Sequence, residues 1–339
     1  MATEATRLQA EAPTSAHNNK QLNKLLQLAE WYATIQPQKA VLQAEEALKI
    51  AIQKKDKASE CKLVYLLGVM YSNQGRFEIA IDYFHKAIEI SEENANTTIL
   101  AKAFNAIGNL HKLKRDYKTG LEHYFNALEC DVKSFNAIVY NNIAEVYAFL
   151  DKYDEAIEYL QKEEKMIQTQ SEPKLWVNCL MNTGRNHYLQ GNYQEAIGYF
   201  YEALEVANQY SDFTKQKVKC WYHIGAAHEY LEKDILALEN YTRALEISRN
   251  HAYHLDTCIQ LCKIGQLQLK QKSYEKALEY FVQCLEVIQE YSFESQRMDC
   301  LKGMYECYEI LQDYTKANHF LKTIIQIQDR HHLAMGRVS

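Results

Sequence analysis

The sequence predicts an all-α fold, a solenoid of about eight helix–turn–helix repeats. Three observations carry this. Small and large residues recur in register roughly every 40 residues. Helix breakers are scarce, with 3 Pro and 11 Gly in 339 residues, so long helices are allowed. Apolar residues recur three and four apart, the period of a helix with one buried stripe.

Taken in order, the chain begins with an Ala/Thr/Glu-rich stretch, residues 1–20, expected to be a flexible leader. The helical period starts after it, at Leu22, Leu25, Leu26 and Ala29. The array is expected over residues 21–330, as one repeat domain. In each repeat a small residue of the first helix is expected at Leu28, Gly68, Gly108, Ala144, Gly184, Gly225, Gly265 and Tyr305. Successive spacings are 40, 40, 36, 40, 41, 40 and 40. Twelve residues further on lie Ala40, Ala80, Gly120, Ala156, Ala196, Ala237, Ala277 and Ala317. A large residue follows at Ala44, Phe84, Tyr124, Leu160, Phe200, Tyr241, Phe281 and Leu321; only the first is small. Two antiparallel helices approach closely only where side chains are small, and a neighbouring large residue fills the groove beside them. Neither helix buries its stripe alone; stacked pairs bury it against both neighbours.

The turns carry breaker or polar residues, as in Asn73-Gln74-Gly75, Lys114-Arg115-Asp116 and Gln190-Gly191-Asn192. The end repeats are atypical: Leu28 and Tyr305 replace the small residue, and Pro37 stands at the first turn. Terminal repeats cover the stack on one side only. Residues 331–339 are expected to be a flexible tail.

The formal net charge is -6 and the pI near 6.1. That balance argues against direct nucleic-acid binding and against an anionic membrane surface. No apolar run approaches the length of a membrane span, and the N-terminus lacks a secretory pattern. The nine cysteines are an odd number scattered through helical segments, which fits reduced thiols and a cytoplasmic location. Cys61, Cys130, Cys179, Cys220 and Cys284 read as small core residues.

At these columns the chain resembles the tetratricopeptide repeat family. Trp221-Tyr-His-Ile-Gly225-Ala-Ala-His228 follows the family's Trp-x2-Leu-Gly-x2-Tyr, and Ala196 to Ala203 matches its second helix. The usual period is 34 and a proline often closes each repeat; here the period is near 40 and that proline is absent. Helices about one turn longer are therefore expected, as in the long-repeat branch of kinesin light chains, polarity adaptors and bacterial peptide-sensing regulators. The resemblance implies a right-handed α-solenoid whose first helices line a concave groove. It implies groove positions six and three residues before the small residue, then one and four after it, a single helical stripe.

On that implication the candidate peptide-binding residues are Lys102, Asn105, Asn109, Lys112, Asn141, Asn182, Arg185, Tyr188, Lys219 and Tyr222. Asn182 stands two residues before Gly184, so it is expected to point toward the neighbouring repeat. Asparagine carries a donor and an acceptor and can clasp the backbone of an extended segment. Lys and Arg can hold a carboxylate.

No phosphate loop, dinucleotide glycine pattern or zinc-protease helix occurs, so no enzyme and no catalytic residue is expected. One set of side chains offers metal-ligand types, His251, His254, Cys258 and Cys262. Four ligands on one helix do not easily surround a tetrahedral ion, so packing is preferred and no metal or cofactor is expected. His111, His187 and His228 fall in the aromatic column of Tyr71 and Tyr147, and packing is expected there too.

The function expected is a non-enzymatic scaffold or adaptor holding a peptide or protein segment, acidic or C-terminal, in the groove. The alternative is a sensory or regulatory arm acting on a cyclase, kinase or transcription factor. Neither reading sets an oligomeric state.

Overall fold

The computed structural model describes residues 15–32, 35–167, 172–291 and 293–335. Among them there are sixteen α-helices, one 3-10 turn and no strand. The chain divides into two compact units, within residues 1–167 and within residues 168–339.

The first unit holds four helix pairs. These are α1 (Ser15–Tyr32) with α2 (Pro37–Gln53), and α3 (Lys57–Asn73) with α4 (Phe77–Glu93). Then come α5 (Thr97–Leu113) with α6 (Tyr117–Glu129), and α7 (Lys133–Phe149) with α8 (Tyr153–Glu164). The second unit repeats the plan. It pairs α9 (Pro173–Leu189) with α10 (Tyr193–Asn208), and α11 (Thr214–Tyr230) with α12 (Asp234–Asn250). It then pairs α13 (His254–Lys270) with α14 (Tyr274–Glu290), and α15 (Glu294–Ile310) with α16 (Tyr314–Met335). Successive first helices also touch, α3 with α5 and α5 with α7, then α9 with α11 and α13 with α15. The first helices thus form the inner layer of each unit.

Most helices are 17 residues long, and the spacing of 36 in the sequence has a local cause. Helix α6 has only 13 residues. Four residues are about one helical turn, so the deletion shortens the helix without rotating its buried face. Pro37 and Pro173 do not break helices; each opens one, where its missing N–H would have no partner.

Of the leader expected over 1–20, residues 1–14 lie outside the described residues and Ser15 already begins α1. Of the tail expected over 331–339, α16 continues through Met335 and residues 336–339 lie outside. Neither end meets a glycine or proline within those helical turns.

The small and large columns meet in space. A Cβ added at Gly68 would lie 2.6 Å from Phe84, at Gly108 2.7 Å from Tyr124, and at Gly225 2.8 Å from Tyr241. Each ring comes from the second helix and sits where the first helix has no side chain. Phe84, Tyr124, Phe200, Tyr241 and Phe281 are almost fully buried, each worth about 1.5–3 kcal/mol of apolar burial. The two buried tyrosines keep their hydroxyls paired: Tyr124 donates to Asn109 Oδ1 at 2.7 Å, and Tyr241 to Glu229 Oε2 at 2.7 Å. The aromatic column is built of stacked pairs, Tyr71 on Tyr83, His111 on His123, Tyr147 on Tyr159 and His187 on Tyr199.

The turns share one device. After each of eleven helices, one residue takes a positive φ. Only Gly75 and Gly191 are glycines; the others include Lys55, Ala95, Asp151, Ala252 and Lys272. The next N–H reaches back to close the helix end, as Asp56 N–H to Ala51 O and Asn192 N–H to His187 O, both at 2.9 Å.

All nine cysteines are free, and all but Cys130 are buried. Burial pushes the Cys220 thiol up to about 12 and Cys307 to about 11, so both stay protonated. No helix among the described residues is long and apolar enough to cross a membrane.

Candidate peptide-binding stripe

The ten candidate residues fall five in each unit. Lys102, Asn105, Asn109 and Lys112 lie on α5 and Asn141 on α7; Asn182, Arg185 and Tyr188 lie on α9, and Lys219 and Tyr222 on α11.

In the first unit the stripe is knitted to itself. Asn105 is buried, and its Oδ1 accepts from Asn142 Nδ2 at 2.8 Å. Lys112 Nζ pairs with Glu145 Oε2 at 2.6 Å and donates to Asn142 Oδ1 at 3.4 Å. Asn109 Oδ1 accepts from Tyr124. These side chains join α5, α6 and α7, and the charge of Lys112 is offset by Glu145. Lys102 and Asn141 are half-buried at the same face.

In the second unit the residues gather about a histidine. Tyr222 lies 5.1 Å and Tyr188 6.4 Å from His223, ring centre to centre, and His223 stacks on Phe200 at 5.0 Å. Burial, then the charges of Arg185 and Lys219, push the His223 pKa down to about 4. His223 is therefore neutral near pH 7, and the exposed Arg185 and Lys219 carry the positive charge. Tyr193 and Tyr230 stack at 5.0 Å, and Tyr188 meets both edge-on, at 5.4 and 5.6 Å. Burial and the neighbouring tyrosines raise the Tyr188 phenol, so it stays a neutral donor. Tyr230 is 63% exposed. Two exposed cations whose charges reach His223 thus accompany a partly open cluster of rings. Such a surface can hold a carboxylate next to an apolar or aromatic side chain.

His223, Tyr193 and Tyr230 escaped the sequence frame. His223 stands two residues before Gly225, the place Asn142, Asn182 and Lys263 occupy in their repeats. That column reaches back to the preceding repeat: Asn142 to Asn105, His223 to Phe200, Lys263 to Glu229 at 3.5 Å. The backbone carbonyl of Asn182 accepts from the Asn186 side-chain amide, Nδ2, at 2.8 Å.

Two family models, both for the tetratricopeptide repeat, match the chain, one over residues 135–209 and 216–290 and the other over 62–94, together more than half of it. The chain belongs to the tetratricopeptide repeat family. This tetratricopeptide repeat fold is in general a non-catalytic, protein-interaction fold, and here it is a scaffold suited to protein interaction.

Solved structures share that fold at low identity. A signal transduction ATPase with numerous domains, bearing a tetratricopeptide repeat sensor and from Pyrococcus horikoshii, is 17% identical with a TM-score of 0.68. The match covers 93% of this chain and 47% of that one, so the chain spans about half its length. The apo form of RapI is 14% identical, TM-score 0.57, over 79% of this chain and 99% of that one. A Rap protein complexed with competence and sporulation factor is 16% identical, TM-score 0.52, over 94% and 99%.

His251, His254, Cys258 and Cys262 are not brought together. His254 stacks on Tyr291 at 4.3 Å, and His251 bonds the carbonyl of Ile247 at 3.0 Å. Cys262 instead faces the sulfurs of Cys284 and Cys300.

Proposed function

We propose that this protein is an adaptor whose second unit holds a peptide or protein segment against α9 and α11. The observation that carries the reading is the pair of exposed cations, Arg185 and Lys219, whose charges reach His223, together with the Tyr188/Tyr222/Tyr230 rings. The segment fitted is extended and bears a carboxylate, from an acidic side chain or a free C-terminus, with an aromatic or apolar neighbour. The first-unit stripe contributes less, because Asn105, Asn109 and Lys112 already serve packing. A Rap protein of the same fold has been solved with a bound factor, which agrees with this use of the fold.

The test is a fluorescence-polarisation screen of labelled peptides ending in aromatic-acidic pairs. Arg185→Ala and Tyr222→Ala should weaken the selected peptide about ten- to a hundredfold, as for a lost charge-assisted bond. Lys162→Ala on α8 should leave it unchanged. Binding that ignores the α9 and α11 changes and does not weaken with salt would place the ligand elsewhere.

A second reading, a sensory or regulatory arm, is favoured by the likeness to a protein with a tetratricopeptide repeat sensor over 93% of this chain. An arm changes its affinity for an output protein when the stripe is filled; an adaptor does not.

A further inference from the structure

Three thiols meet at one point inside the second unit. Cys262 Sγ lies 3.1 Å from Cys300 Sγ and 3.5 Å from Cys284 Sγ, and all three sulfurs lie within 4.8 Å of one another. They come from three separate helices, α13, α14 and α15, across the boundary between the seventh and eighth repeats. Their exposures are 4%, 0% and 0%. We propose that Cys262, Cys284 and Cys300 form a binding site for one soft, thiophilic metal ion held by three sulfurs, with Cu(I) the ion it fits best.

Packing alone does not call for this arrangement. The column of Cys284 is alanine at Ala47, Ala87, Ala127, Ala203 and Ala244, with Glu163 and Ile324 in the other two repeats, so a methyl group fills that place in five of them. The column of Cys262 holds Tyr65, Asn105, Asn141, Met181 and Tyr222 in earlier repeats. Only here do the two columns and Cys300 supply sulfur to one point.

The chemistry selects the ion. Thiolates favour soft ions, Cu(I) and zinc among them. Zinc in a structural site takes four ligands in a tetrahedron. Among the described residues no histidine, aspartate or glutamate joins the three sulfurs. At a metal–sulfur distance of about 2.3 Å, three coplanar sulfurs stand roughly 4 Å apart. The two sulfur–sulfur distances from Cys262, 3.1 and 3.5 Å, are within about 1 Å of that value, so small side-chain rotations suffice. On binding, three sulfur–copper bonds form and the thiol protons pass to solvent. A cavity of about 370 Å³ between α14 and α15 is lined by Leu285, Ile288, Arg297 and Leu301. Leu285 and Leu301 are the chain neighbours of Cys284 and Cys300, whose own side chains stay fully buried.

The test uses the full-length, reduced protein titrated with Cu(I) against a chromogenic Cu(I) chelator. One equivalent should be retained, and X-ray absorption should report three sulfurs at about 2.3 Å. Cys284→Ala, which restores the residue of five other repeats, should lower affinity at least tenfold with helicity unchanged. Cys220→Ala should leave it unchanged. Should Cys284→Ala lose its fold, the sulfur count on the unaltered protein decides by itself. Three outcomes overturn the proposal: no Cu(I) retained against the chelator, fewer than three sulfurs at the metal, or Zn(II) bound more tightly in a four-coordinate site. Recovery of a Cys262–Cys300 disulfide from aerated protein, with no Cu(I) uptake after reduction, also overturns it.

Discussion

The side-chain amide of Asn142 donates to the side-chain oxygen of Asn105 across 2.8 Å, tying α7 to α5 in the inner layer of the first unit. Both residues are buried. Asn142 also accepts from Lys112, whose ammonium pairs with Glu145. Asparagines on an inner stripe can thus belong to the seam between repeats, where their amides replace water for each other.

This relationship has a measurable coupling. Asn105→Ala and Asn142→Ala should each cost about 1–3 kcal/mol, because each leaves a buried amide without its partner. The double variant should cost less than the sum of the two. Urea unfolding of the four proteins checks it; strict additivity would mean the bond contributes nothing.

The glycine columns predict opposite signs at two glycines. Gly225→Ala would bring a Cβ to 2.8 Å of Tyr241 and should cost about 1–3 kcal/mol by overpacking. Gly198, exposed within α10, has nothing within 4 Å of an added Cβ. Gly198→Ala should therefore stabilise by about 0.5–1 kcal/mol through helix propensity. Thermal unfolding separates them, and equal shifts would show the columns misplaced.

The turns invert the usual expectation for alanine. Ala252 holds φ at 53°, a left-handed conformation that costs an L-residue about 1–2 kcal/mol. Ala252→Gly should gain roughly 0.5–1 kcal/mol after the added flexibility of the unfolded chain is subtracted. Gly75→Ala, at φ 73°, should lose a similar amount. Denaturant midpoints moving in the same direction for both would contradict the turn geometry.

His223 makes stability depend on pH. Its pKa falls from 6.5 to about 4 on folding, so between those values the unfolded chain binds more protons. Stability is then full above pH 6.5 and is lost as pH falls toward 4, by up to about 3 kcal/mol from this residue. The pKa values of His123 and His228 are also lowered by burial and add in the same direction. The urea midpoint should drop from pH 7.5 to pH 5. His223→Phe, which keeps a ring on Phe200 but does not titrate, should show a shallower drop; an unchanged slope would remove His223 from the account.

Much of the fold was legible because the repeat writes the same packing constraint many times. Gly68, Gly108 and Gly225 with Phe84, Tyr124 and Tyr241 meet as their spacing of 16 residues requires, since that distance is set by two helices and one turn. The one irregular spacing, 36, marked the short α6. The turns were less legible: nine of the left-handed positions carry side chains, so composition did not mark them. Backbone bonds such as Asp116 N–H to His111 O hold them instead.

The candidate stripe divides differently. The sequence by itself determined which side chains lie on the first helices, and that Arg185 shares a helical face with Tyr188 and Lys219 with Tyr222, because a period of 3.6 residues decides that locally. Only the tertiary structure decided what each one meets. Asn105 is spent on Asn142, while Arg185 and Lys219 stay in solvent around a histidine no column had marked. Likewise only packing brought Cys262, Cys284 and Cys300 together, from positions 22 and 16 residues apart along the chain. The physical reason is that helix periodicity sets direction, whereas contact between helices depends on the angle and depth at which neighbouring repeats stack. Those follow from the packing of many side chains at once.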